Sequence, residues 1–292
     1  MVQERMFEDR SDRLIAQMAR QMVRNRAAVC GAAFLAFAIL CAVLAPVLAP
    51  YDPLEVHTSN TLEAPSVDHP FGTDDAGRDV LSRVIWGGQL SLRVGLISAG
   101  IATSAGLMLG LVSGYYGGTV SFIILRLMDL LLAFPGILLS LVIVSILGRG
   151  LDQVMVAVGT AAIPTFTRVV HGSVLSAKTN DYVLSARVAG CSHLRIIVRH
   201  LLPNILAPVI VLCTLQVGSA IFAASSLSFI GLGAQPPSPE WGAMVSRGRH
   251  VLRDATWMST FPGLAIATVV VAINIVGDGL REALDPHMRT RW

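Results

Sequence analysis

Six stretches of this chain are long and apolar enough to cross a bilayer, which takes about 20 residues each. They fall near Ala27–Leu48, Val94–Tyr115, Phe122–Leu147, Val154–Val170, Ile205–Ala224 and Trp257–Val276. The fourth is short and interrupted by Pro164, a residue tolerated in a spanning helix where neighbouring helices satisfy the freed backbone groups. The polar stretches between them predict three long connections, 49–92, 171–203 and 225–256, with short turns elsewhere. The predicted fold class is an all-α polytopic membrane protein of six transmembrane helices, with a transmembrane domain over 27–280, an N-terminal segment 1–26 and a tail 281–292. Residues 1–26 are too polar for the charged start of a signal peptide, and the apolar run after them is too long for a signal core, so it is expected to stay as the first span.

Charge adds direction to this pattern. With the N-terminus inside, 15 of the 22 Lys and Arg lie on the inner side, so the positive-inside rule places both termini in the cytoplasm. Composition agrees with a bilayer instead of a water-soluble core: 53% of residues are hydrophobic and 14% charged, with 26 glycines and 14 prolines. The net charge of +3 is small and its basic residues dispersed, which argues for membrane lipid and against nucleic acid as a partner. Cys30, Cys41, Cys191 and Cys213 lack metal-ligand spacing and read as small hydrophobes. The seven histidines form no metal motif, so no metal ligand is assigned.

The inner connection carries the most pointed pattern. From Asp181 it predicts a short helix, capped by that aspartate, with small residues Ser185, Ala186 and Ala189 on or beside one face and Gly190 ending it; a second helix starts at Ser192. Such a helix suits a partner's groove, although a solvated loop between two spans would look similar. Leu184-Ser185-Ala186, Gly190 and His200-Leu201-Leu202-Pro203 resemble the signature loop of ABC importer permeases in spacing throughout, without its acidic first residue and with His200 where isoleucine is usual. His69–Arg83 and Leu227–Gly242 resemble the two outer loops of dipeptide, oligopeptide and nickel permeases, and Gly277–Pro286 resembles their C-terminal end. The four ordered matches resemble the second (C-type) permease of the pair.

The resemblance implies the type I ABC importer permease fold, a bacterial inner-membrane location, and a non-catalytic subunit that forms a translocation path for peptides. It implies a heterodimer with a homologous permease, two ATPase subunits, and an extracytoplasmic substrate-binding protein. It also implies that Tyr182, Ser185, Ala186, Arg187, Ala189 and Gly190 transmit ATPase closure. ATP and Mg belong to the partners: the sole lysine, Lys178, follows Ala177 where a P-loop needs glycine, and this chain is expected to bind no cofactor and to hold no catalytic residue. The same architecture carrying nickel, a metallophore or glutathione is the alternative within the class. Outside it stands an ion-gradient carrier, which places acids near the midplane of discontinuous helices, whereas Asp129 reads as lying towards one end of its span.

Three further groups are candidates. Arg126 and Asp129, three apart, read as a helix-face ion pair for packing or gating, or as a substrate contact. Phe134, Phe166 and Phe229 are candidates to line a path. The segment Asp79–Trp86 reads as an amphipathic helix at the outer interface, and Asp74, Arg78, Asp79, Glu240, Trp241, Arg247 and Arg249 as docking contacts for a binding protein.

Overall fold

The computed structural model describes residues 24–284. Expectations that fall on residues 1–23 and 285–292, the body of the N-terminal segment and the end of the tail, lie outside them.

Helix α1 (Arg26–Val43) starts at Asn25, whose side chain accepts from the Ala28 amide and donates to Glu282 at 2.8 Å. Its outward face is apolar, and it touches the bundle through small residues, Ala28 and Gly31. A single turn, Ala45–Leu48, leads into the outer loop. Helix α2 (Val80–Tyr116) follows, 37 residues and about 55 Å long, nearly twice a bilayer core. Its start differs from the expected Val94. Ser82, Arg83 and Ser91 interrupt the apolar pattern but are buried, Ser82 and Arg83 against the loops, so the helix continues through them. Asp79–Trp86 is therefore not a separate interfacial helix but the first turns of α2 after its Asp79 cap.

The third expected span is divided. Helix α3 (Gly118–Leu132) and helix α4 (Gly136–Leu147) meet at 92°, about Pro135, which cannot donate to a continuing ladder. Among the described residues five helices are long and apolar enough to cross a membrane, or six if this bent pair is one span. Helix α5 (Leu151–Ala177) runs unbroken through buried Pro164. Helix α6 (Asp181–Val188) is the short inner helix; Gly190 after it takes φ +76°. Asn180 occupies the cap position, and Asp181 sits in the first turn, where a carboxylate suits the helix dipole. A turn at His193–Arg195 and a π-helical segment, Ile196–Leu201, lead into α7 (Leu202–Phe229). The wider π turn comes directly before Pro203, whose ring an α-helical turn would press against the Arg199 carbonyl. Helix α8 (Trp241–Gly248) and helix α9 (Trp257–Leu284) complete the order.

The centre of the bundle is the α2–α5 pair. Gly106, Gly110 and Gly114 repeat every four residues on α2 and lie against Phe166, Val170 and Val174 of α5. A Cβ on Gly110 would stand 2.5 Å from that of Val170, and one on Gly114 2.7 Å from that of Val174. The backbones approach this closely because glycine leaves no side chain between them, the usual means of helix packing in lipid. Gly159 on α5 repeats the device against Ile101.

Candidate functional site

At the inner end, α6 is held by two inward residues. Val183 and Ala186 are buried in a cluster with Tyr115, Val174, Ile196 and Leu201. The ends of α2 and α5 are tied to the same region: Lys178 Nζ donates to the Gly114 carbonyl at 3.0 Å, and Tyr115 Oη pairs with His193 Nδ1 at 2.7 Å. Ala186, expected on the face offered to a partner, points into the bundle instead. Ser185, Arg187, Ala189 and Gly190 are exposed, and Tyr182 is partly so. The outward face also contains Leu184 and Val188, the latter 91% exposed, neither of them among the expected coupling residues. Their spacing of four, on a helix too short to bury two faces, was the available signal.

At the outer end the two long loops fold into one cap. Asp74 accepts from the amides of Ala76 and Arg78 and from Arg78 Nε at 2.8 Å. Arg83 reaches the Pro53 carbonyl at 2.7 Å in the first loop and the Pro237 and Ser238 carbonyls at 3.3 Å in the second. Asp79 caps α2 through the Ser82 amide and hydroxyl, both 2.7 Å away, and meets His69 Nδ1 at 3.0 Å. Glu240 caps α8 by accepting from the Gly242 and Ala243 amides. Burial pushes the Glu240 carboxyl up from its usual value, against the pull of those two amides and of Ser228. Trp241 Nε1 donates to the Val84 carbonyl at 2.8 Å, and Trp257 Nε1 to that of Thr73 at 3.0 Å.

This arrangement corrects the docking assignment. Asp74, Arg78, Asp79, Glu240 and Trp241 are all buried and build the cap, so they present no surface to another protein. The reason is local: a polar loop whose charges pair with each other and with backbone carbonyls can close on itself. Arg247, paired with Asp75 at 2.7 Å, and Arg249, over the Phe229 ring at 5.1 Å, stay at the surface, beside a cavity of about 270 Å³ lined by Arg83, Ser228, Gln235 and His250.

Between the two ends, Asp129 pairs with Arg168 of α5, not with Arg126. Arg126 is exposed and has no ion-pair partner among the described residues. Counting along the helices, Asp129 and Arg168 lie roughly 15 Å from the inner ends of α3 and α5, so the pair is deeper than the sequence reading placed it. Phe134, at the α3–α4 bend, is exposed. Phe166 is fully buried against Gly106 and packs the core, which removes it from any path; Phe229 is partly exposed under Arg249. No cluster of three or more metal-ligating side chains occurs among the described residues.

Comparison with known proteins gives concordant matches. Residues 106–290 match the family described as the inner membrane component of binding-protein-dependent transport systems, and residues 14–65 match the N-terminal transmembrane domain of oligopeptide transport permease C. The dipeptide transport system permease protein DppC of Alkalihalophilus pseudofirmus is 44% identical over 93% of this chain and 89% of its own length. DppC of Haemophilus influenzae is 42% identical over 91% and 92%. The glutathione transport system permease protein GsiD of Pectobacterium atrosepticum is 42% identical over 93% and 90%. In fold, the chain is similar to a chain of the inward-facing MetNI methionine ABC transporter, with a TM-score of 0.57 at 20% identity, covering 70% of this chain and 97% of that one.

Proposed function

Because the chain belongs to the family of inner membrane components of binding-protein-dependent transport systems, we propose that it is the C-type permease of an ATP-driven peptide importer. The observation that carries this reading is α6, a short helix held at the inner end of the α2–α5 pair with Leu184, Ser185, Val188 and Ala189 turned outward. A helix so placed converts motion of a docked partner into motion of the two central helices, since α5 leads into α6 through only three residues.

In this scheme the chain pairs with a homologous permease, and two ATPase subunits bind α6 and its counterpart. ATP and Mg stay with those subunits; this chain performs no covalent chemistry. A loaded binding protein meets the outer cap, where Arg247 and Arg249 are the expected docking residues that remain at the surface. The protein sits in the bacterial inner membrane with both termini in the cytoplasm, the arginine-rich segment before α1 following the positive-inside rule. The cargo is a short peptide, supported by the dipeptide permeases among its relatives; glutathione, itself a peptide, is the nearest variant and is favoured by the glutathione permeases among them.

Gentle purification of the tagged chain from its host, followed by reconstitution, tests the reading. Co-purification of a second permease and P-loop ATPases, with peptide uptake that requires ATP and the binding protein, is the expected result. A chain that purifies alone and drives uptake on an ion gradient would refute it.

A further inference from the structure

Three observations meet at one depth. The Asp129–Arg168 side chains are 43% and 52% exposed, Arg168 on a helix long enough to span the membrane and Asp129 on the first arm of the bent α3–α4 pair. Lipid does not tolerate charge so placed, so this face meets water or protein. The α3–α4 break is open as well: residues 132–138 are exposed, and Pro135 supplies no side-chain cap to α4. Irregular backbone at membrane depth is found where it lines a cavity or is covered by protein. Thirdly, the exposed strip of α5 around Arg168 mixes Thr165, Gly172 and Ser176, small or polar residues, with Val169 and Leu175, and so is not a continuous apolar surface.

The charges on this face are two arginines, Arg126 and Arg168, against one aspartate. A single added carboxylate brings the group to neutrality. Asp129 competes with any such ligand for Arg168, which keeps the grip weak enough for release, a requirement of any site on a conduction path.

We infer that Arg168, with Arg126 and Asp129, forms a station on the translocation path that takes the carboxylate of the passing cargo. This rests on the permease reading above. It adds a chemical class of contact, a carboxylate held by a pre-paired guanidinium, and names Arg168 as the residue that makes it.

The test uses the whole importer in proteoliposomes, with the four cysteines of this chain replaced and Thr165→Cys introduced one turn from Arg168. Small water-soluble methanethiosulfonates of opposite charge are the probes. The anionic reagent is expected to react about tenfold faster than the cationic one, a preference that Arg168→Gln removes. Carboxylate-bearing cargo, delivered by its binding protein with ATP, should slow the labelling. Absence of labelling, or equal rates for the two reagents, would overturn the station. Thr165→Cys labelling is read without reference to uptake, so its failure is distinct from failure of the functional reading, which the absence of ATP-dependent uptake by the unmodified complex would indicate.

Discussion

Substituting Gly110 with alanine places a methyl carbon 2.5 Å from Val170 Cβ, 2.7 Å from Val170 Cγ1 and 2.9 Å from the Thr167 carbonyl. Ordinary carbon–carbon contact is about 3.5–4.0 Å, so α2 and α5 must separate by roughly 1 Å at their closest point. Forcing extra volume into a packed interface costs about 1–3 kcal/mol, which lowers the folded-to-unfolded ratio by about 5- to 150-fold. The pairing of atoms sharpens the test. Val170→Ala keeps its Cβ and leaves the 2.5 Å conflict in place, whereas Val170→Gly removes it. Equilibrium unfolding in mixed micelles, over a double-mutant cycle, should give Gly110→Ala and Val170→Gly a favourable coupling of at least about 0.5 kcal/mol. Gly110→Ala with Val170→Ala should give clearly less. Strict additivity with Val170→Gly, or equal relief by Val170→Ala, would refute the claim that backbone proximity at this glycine sets the interface. Because α5 runs into α6, ATP-coupled uptake should fall in Gly110→Ala even where the chain remains inserted.

Other perturbations separate roles that sequence alone merges. Val188→Glu alters an outward residue, so ATPase subunits should be retained about 10- to 150-fold less well, from the loss of about 1.5–3 kcal/mol of apolar burial, with unfolding of the free chain unchanged. Ala186→Glu should instead lower the stability of the chain itself by more than about 3 kcal/mol, since it buries a carboxylate in the Val183–Leu201 cluster; normal folding with uncoupled ATPase would sink the inward assignment. Asp79→Ala removes the α2 cap and the partner of His69, and should cost about 2 kcal/mol, seen as earlier proteolysis of the outer loops. Glu240 has a folded pKa raised above its usual 4.5, so the folded chain holds the proton more tightly than the unfolded one. Its contribution is therefore fullest below pH 4.5, declines as pH rises towards the folded value, and is level above it. Glu240→Gln should abolish that slope while losing about 0.5–1.5 kcal/mol for one amide bond; an unchanged pH profile would contradict the assignment.

Hydropathy and local motifs determined much of this protein without any coordinates. The apolar runs are legible because lipid demands them, and Gly190 after a short polar helix is legible because few other residues accept φ +76°. The family resemblance likewise sat in local strings around Gly72, Gly190, Gly231 and Asp278. Hydropathy failed at Val80–Leu92, where polar residues signal a loop but are buried in a helix by partners more than 150 residues away, as Arg83 is by Pro237. It failed again at Pro135, since an apolar run looks the same straight or bent.

The sites divide in the same way. Residue types were readable at Asp74, Asp79 and Glu240, and such charges read equally well as surface or as caps. Only the closing of one outer loop on the other decided that they face inward. Spacing proposed Arg126 as the partner of Asp129, because neighbours on one helix are all that a sequence displays. The guanidinium that reaches it comes from Arg168, 39 residues on, brought there by the packing of α3 on α5. Periodicity could have revealed the Gly106-Gly110-Gly114 stripe, yet not that its partners are Phe166, Val170 and Val174. Local strings specify which residues can bend, cap or approach closely; which face of each helix is covered depends on neighbours distant in the chain, and that was decided by the tertiary structure alone.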